Sequence, residues 1–400
     1  MNFEKLRSIH PFPARMAPEI AIHALEDLHA GDIILDPMAG SGTVLHQAAL
    51  KGIRTLGFDL DPLSVLISTV ITSKVSFEKL ALLYKNIITD VNRTRLNQIN
   101  LPWIDDDPET LNFIKYWFAR KQINSLRKIA FALQKYKAFH KWIEIDVLQV
   151  ALSRIIITKK IGASLAWDIS HSRPHKMRVK NDYDVIEGYK TSVEKLTAYL
   201  RQQAITKSSN RIRLGDARNL RSVPTASVDK VITSPPYLNA IDYMRGNKFS
   251  LVWLGYTITQ LRAIRSNSIG AERKMDHRSN QNEVQQIYSE IAATTELKSD
   301  HASMIRRYIN DSILLMSEIS RVLKKGRKAT LVIGNSTLKG IYIENSAIFQ
   351  NAGSLAGLSL VDVKIREIPI SQRYLPMPKH NTSALGKRMK HEVIMTFLRS

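Results

Sequence analysis

The chain has 400 residues, no cysteine and a formal net charge of +22. Lacking thiols, it can form no disulfide, no thiolate metal site and no cysteine nucleophile, which fits a reducing compartment. Its hydrophobic content of 44% suffices for an ordinary core. A charge excess of this size costs a compact chain self-repulsion, so a polyanionic partner is expected, nucleic acid before an anionic membrane.

The first residues, MNFEKLRSIHPFPARMAPE, hold no long apolar core of the secretory kind. No apolar run approaches the roughly 20 residues of a membrane span. A soluble protein of the cytoplasm or nucleoid is therefore expected, with no membrane partner. Residues 16–28 place apolar side chains at helical spacing, and Asp32 to Asp36 reads as a short buried strand. Gly40 to Gly52 carries a turn and then a helix. Residues 54–59 form a second strand, and Pro62 starts another helix. This β-α-β-α order predicts a parallel sheet covered by helices.

From about 75 to 205 the pattern becomes mostly helical and rich in Lys, Arg and aromatic residues. Strands resume at 211–216 and 228–233. A polar, basic stretch at 260–300 reads as a long mobile segment. A helix near 301–324 precedes a strand at 328–335, a helix near 342–356 and two strands at 358–370 and 391–399, joined by a basic loop. The predicted assembly is an α/β domain of residues 1–74 and 206–400, interrupted by a helical insertion at 75–205. An antiparallel edge closes an otherwise parallel sheet.

At Asp36-Pro37-Met38-Ala39-Gly40-Ser41-Gly42-Thr43 a strand turns into a helix. Glycines there permit positive φ and let a ligand approach the backbone, and the helix amides beyond can meet a carboxylate or phosphate. About 17 residues later Asp59 ends the next strand, placed to accept from two ribose hydroxyls. A glycine turn alone could be a tight structural turn; paired with this carboxylate it favours a ribose-bearing cofactor. Neither the dinucleotide pattern G-x-G-x-x-G nor a Gly-Lys-Ser/Thr P-loop is matched.

The segment from Asp36 to Thr43 resembles the S-adenosylmethionine motif of the DNA amino-methyltransferases. Ser234-Pro235-Pro236-Tyr237 resembles their catalytic motif, in the form common among N4-cytosine enzymes. His10-Pro11-Phe12-Pro13-Ala14-Arg15-Met16 is similar to the segment that the family folds over the methionine end of the cofactor. Leu214-Gly215-Asp216-Ala217 is similar to the third-strand motif, whose acidic residue meets the adenine amino group. The four motifs occur in the family's order, and the resemblance covers the α/β core, somewhat over half the chain. The resemblance implies a Rossmann-like class I methyltransferase with a mixed seven-stranded sheet. It implies S-adenosylmethionine held by Phe12, Pro13, Asp36, Pro37, Ala39, Gly40, Ser41, Gly42, Thr43, Asp59, Asp216 and Ala217. It also implies double-stranded DNA as partner, with a cognate restriction endonuclease as a further one.

The chemistry of Ser234 to Tyr237 follows from the base. An exocyclic amine is a poor nucleophile because its lone pair is delocalised into the ring. Acceptors on both N–H bonds pull the nitrogen toward tetrahedral geometry and free that pair. The Ser234 hydroxyl can accept one bond, and the Pro235 carbonyl, whose direction proline fixes, the other. Tyr237 offers a ring face to an extruded base. The absence of cysteine excludes methylation at carbon 5 of cytosine. The family's adenine enzymes usually carry an acidic residue at this position, so the resemblance, with serine there, favours N4 of cytosine over N6 of adenine. An RNA base-amine methyltransferase and a catalytically idle nucleic-acid-binding subunit are the rival readings.

Two regions are candidates for reading DNA: the 75–205 insertion, and residues 238 to about 300. His171, Arg173, His175 and Lys176, near the end of the insertion, and Arg245 and Lys248, after the catalytic motif, are the candidate nucleic-acid contacts. Trp117, Phe131, Tyr136 and Trp142 are expected to be helical core rather than stacking platforms. His171 and His175 are four apart, but Pro174 opposes a helix and no third ligand accompanies them, so no metal site is expected.

Overall fold

The computed structural model describes residues 8–11, 16–158, 161–167, 174–203, 205, 210–238, 242–270, 280–293, 299–338, 341–368 and 391–400. They form two units. One comprises Met1–Pro13, Asp61–Ser208 and Asp242–Arg265; the other comprises Ala14–Leu60, Ser209–Ile241 and Ser266–Ser400. The helices are α1 (Pro18–Ala24), α2 (Thr43–Leu50), α3 (Pro62–Thr72), α4 (Phe77–Arg93), α5 (Pro102–Asp105), α6 (Pro108–Trp117) and α7 (Arg120–Phe139). They continue as α8 (Ile143–Ser153), α9 (Val185–Arg201), α10 (Met244–Leu251), α11 (Ile258–Asn267), α12 (Gln281–Ala293), α13 (Ser299–Val322) and α14 (Asn345–Leu355).

The second unit is built on one sheet of β1 (Ile33–Asp36), β2 (Arg54–Asp59), β3 (Asn210–Leu214), β4 (Val228–Thr233), β5 (Leu323–Gly334), β6 (Leu358–Glu367) and β7 (His391–Arg399). The strand order is β6-β7-β5-β4-β1-β2-β3. β1 pairs in parallel with β2 and β4, β2 with β3, and β4 with β5. β7 runs antiparallel to both β5 and β6. The fold is Rossmann-like, with the mixed seven-stranded sheet and antiparallel edge expected from the sequence. Order reverses between β1 and β4, the switch point where ligands bind in such sheets.

β4 is buried along its whole length, yet it contains Asp229 and Lys230. Both are paired: Asp229 accepts from the Ile33 amide at 3.0 Å and from Lys324 at 2.8 Å, and Lys230 meets Asp27. Pairing is what makes burial of such charges tolerable. Unlike the mobile segment expected at 260–300, this stretch contains α11 and α12. Val284, Ile287 and Ile291 recur at helical spacing on α12 and are buried in the core of the sheet unit, which explains the helix within a polar sequence. Residues 271–279 and 294–298 lie outside the described residues.

The helical unit has its own core, in which Trp253, Tyr189, Phe118 and Phe249 are fully buried. Trp117, Phe131, Tyr136 and Trp142 pack partly buried against it, as core residues do. Asp61 caps α3, accepting from the Leu63 amide at 2.9 Å, with Pro62 opening the helix. Asp107 caps α6 and Asp184 caps α9 in the same way. Contacts group α3 and residues 242–265 with these helices, whereas the sequence draws the insertion at 75–205. The tethers are specific: Trp103 Nε1 donates to the Val252 carbonyl at 2.8 Å, and Asn247 donates to Asp61. No helix among the described residues is long and apolar enough to cross a membrane.

Candidate active site

Asp36 ends β1 as a buried carboxyl. Its Oδ1 accepts from Thr233 Oγ1 at 2.7 Å and from the Met38 amide at 3.2 Å. Burial pushes its pKa up to about 7, against the pull of these two bonds. Pro37 and Met38 carry the chain into the bend. Gly40 and Gly42 have φ of +51° and +78°, the left-handed region that glycine enters without strain. Gly42 caps α2, which begins at Thr43. Ser41 Oγ and Thr43 Oγ1 lie 3.3 Å apart.

The bend is stitched to the end of β2. The Ala39 amide donates to the Phe58 carbonyl at 2.8 Å, and the Gly40 amide donates to Asp59 Oδ2 at 2.8 Å. The end of β3 joins them: the Gly215 amide donates to the Asp59 carbonyl at 3.0 Å. A Cβ on Gly215 would stand 2.7 Å from the Phe58 ring, so the close approach of these strand ends requires glycine. Ala217 is buried.

Asp216 brings in a partner that the sequence does not reveal. Arg218 donates to both of its oxygens, Nε to Oδ1 at 2.9 Å and Nη2 to Oδ2 at 2.6 Å. The same guanidinium reaches Asp311 on α13 at 2.6 Å and the Asn267 carbonyl at 2.6 Å. Burial works against the Arg218 charge, but the two carboxylates outweigh it and hold the group protonated. Nothing local links residues 218 and 311, so no sequence pattern signals the pair.

At the end of β4, Ser234 Oγ donates to the Val332 carbonyl of β5 at 2.9 Å. Its one proton is thereby committed, and its oxygen remains as an acceptor. Pro235 is buried and Pro236 half-buried. The Tyr308 hydroxyl of α13 donates to the Pro236 carbonyl at 3.0 Å. Burial, with Glu392 nearby, pushes the Tyr237 phenol above its ordinary value, so it stays protonated. Gly270, at φ +74°, lets the chain pass the Tyr237 carbonyl, which a Cβ would approach to 3.1 Å.

Thus Asp36, the glycine bend, Asp59, Asp216 and Ser234 to Tyr237 all lie at the carboxyl ends of β1 to β4. His175, Lys176, Arg245 and Lys248 belong to the helical unit. Phe12, Pro13, His171 and Arg173 lie outside the described residues. Among the described residues, no group of three or more His, Asp or Glu could hold a metal ion.

No family model matches the chain. It is 24% identical over 356 residues to the Type II methyltransferase M.BsoBI of Geobacillus stearothermophilus, across 80% of this chain and 66% of that one. It is 22% identical over 421 residues to the Type II methyltransferase M.MvaI of Kocuria varians, across 97% of this chain and 88% of that one. The match thus spans just under two thirds of the first relative's length. Among solved structures, geranyl diphosphate C-methyltransferase from Streptomyces coelicolor A3(2) aligns with a TM-score of 0.36 at 8% identity, over 96% of this chain and 76% of that one. That likeness is too low to bear on fold or chemistry. The chain is homologous to Type II methyltransferases over most of its length.

Proposed function

We propose that this homologue of the Type II methyltransferases moves a methyl group from S-adenosylmethionine to an exocyclic amine of a base in double-stranded DNA, N4 of cytosine. The observation that carries the reading is the convergence of two motifs at the reversal of strand order. The glycine bend leaves β1, Ser234 to Tyr237 leaves β4, and Thr233 bonds Asp36 between them.

The residues present fit the cofactor. A bend with left-handed glycines is flanked by acidic ends on β2 and β3, which suits a ribose and an adenine amino group. Asp36, Ala39, Gly40, Gly42, Asp59 and Asp216 would hold it, with Phe12 and Pro13 closing over it. When bound, S-adenosylmethionine supplies a methyl group made electrophilic by its sulfonium.

The chain's own residues then orient the amine. Ser234, its proton given to the Val332 carbonyl, accepts one N–H. The Pro235 carbonyl accepts the other, and Tyr308 fixes the next carbonyl along. The Tyr237 ring faces the base. Alignment supplies most of the acceleration, and no covalent enzyme intermediate is needed. Serine at the first motif position supports cytosine over adenine, and the net charge of +22 supports a nucleic-acid substrate.

Transfer of tritium from S-adenosylmethionine to duplex DNA tests this reading. Label should enter DNA with the natural chain and be strongly reduced with Ser234→Ala. Label entering RNA alone, or an unimpaired Ser234→Ala, would overturn it.

A further inference from the structure

The helical unit carries its own cluster of cations and aromatic rings. Phe113 and Tyr116 lie three residues apart on α6. Lys248 Nζ sits 5.2 Å from the centre of the Phe113 ring, and Lys176 Nζ 4.2 Å from that of Tyr116. Trp117 packs edge-on against Tyr116 at 5.0 Å and Phe249 at 4.9 Å. Ala166–Trp167 pairs antiparallel with His175–Lys176. The Leu165 amide just before Ala166 donates to the Trp117 carbonyl at 2.8 Å. Segments far apart in sequence, ending the insertion and following the catalytic motif, thus meet on one helix.

Charge there is unbalanced. Asp242 Oδ2 accepts from Arg245 Nε at 2.9 Å and also from Arg265 Nε. One carboxylate therefore serves Arg245, Arg265 and the adjacent Lys248. Burial, then Arg265, lowers the Lys248 pKa, with Asp242 opposing. Tyr116 is 55% exposed and Trp167 40% exposed. Cations spread over a solvated face avoid one another; here Lys176 and Lys248 sit over aromatic rings while Arg245 and Arg265 share one carboxylate, a combination of cations and exposed rings suited to nucleic-acid backbones.

We propose that this cluster holds the DNA backbone, with Lys176, Lys248, Arg245 and Arg265 neutralising phosphates and Tyr116 and Trp167 stacking against sugar or base. The inference rests on DNA being the substrate, and it assigns the contact to the helical unit.

The test is binding of duplex DNA by the full chain with S-adenosylhomocysteine, across a range of salt. Lys176→Gln and Arg265→Gln should each weaken binding about threefold to tenfold and reduce the slope of log affinity against log salt by about 1. Lys176→Arg should restore the slope. Trp167→Ala should weaken binding with the slope unchanged, and Lys85→Gln, on the exposed side of α4, should behave as the natural chain does. Wild-type affinity and slope in the Lys176 and Arg265 variants, while the natural chain still methylates DNA, would overturn this surface and leave the activity standing. An equal loss in Lys85→Gln would also overturn it, by tracing the effect to total charge. Failure of the natural chain to bind or methylate DNA would overturn both.

Discussion

Thr233 Oγ1 donates to Asp36 Oδ1 at 2.7 Å, with both side chains buried. Each residue is the last of its strand, so the bond ties the end of β4 to the end of β1. It holds the start of the glycine bend and the residue before Ser234 in fixed register, so the two corners that the proposed function assigns to cofactor and base are set by one sheet rather than by loops.

This burial makes stability pH-dependent. The Asp36 carboxyl is raised from 3.8 to about 7, so between those values the native chain keeps a proton that the unfolded chain has released. Its contribution is fully present below about pH 4 and is lost as pH rises to about 7, on the order of a few kcal/mol. Asp36→Asn stays neutral throughout. Its denaturant midpoint should gain on the natural chain's between pH 5 and pH 8; parallel curves would refute the assignment.

Asp59 serves the bend and, in the proposed function, the ribose. Asp59→Ala removes the acceptor of the Gly40 amide. Losing bonds to a charged acceptor costs about 1.5–3 kcal/mol each. Calorimetry should find affinity for S-adenosylmethionine weakened by at least about tenfold. Unchanged affinity would remove Asp59 from the pocket.

Ser234→Ala should have the opposite profile. Cofactor affinity stays within about twofold, while single-turnover methyl transfer falls by about 10²-fold or more, the scale for losing one positioned hydrogen-bonding group. Loss of cofactor affinity instead would place Ser234 on the wrong side of the reaction.

Tyr308→Phe strips the donor from the Pro236 carbonyl. Stability should fall by about 1–3 kcal/mol, read from the denaturant midpoint. Turnover should fall while cofactor affinity holds, because the bond supports the base corner alone. An equal loss of both would mean general unfolding of the site.

Local chemistry made much of this site legible. Gly40 and Gly42 announce a left-handed bend, Asp59 ends a strand at the right distance, and two prolines halt β4 after Thr233. The alternation of strands and helices yielded the sheet and its antiparallel edge. Long-range pairings were not legible. Arg218 meets Asp311 across 93 residues, and Tyr308 meets Pro236 across 72. Each is fixed by how α13 packs, which no short window records. The same holds for Lys176 and Lys248, whose shared seat on α6 exists only after the insertion folds. The polarity of residues 280–293 hid the helical spacing of Val284, Ile287 and Ile291.

The most direct measurement is the identity of the methylated base. Duplex DNA is incubated with the protein and S-adenosylmethionine carrying a deuterated methyl group, digested to nucleosides and analysed by mass spectrometry. The heavy methyl is expected in N4-methylcytosine. Heavy methyl in N6-methyladenine instead, or in no DNA nucleoside, would contradict it.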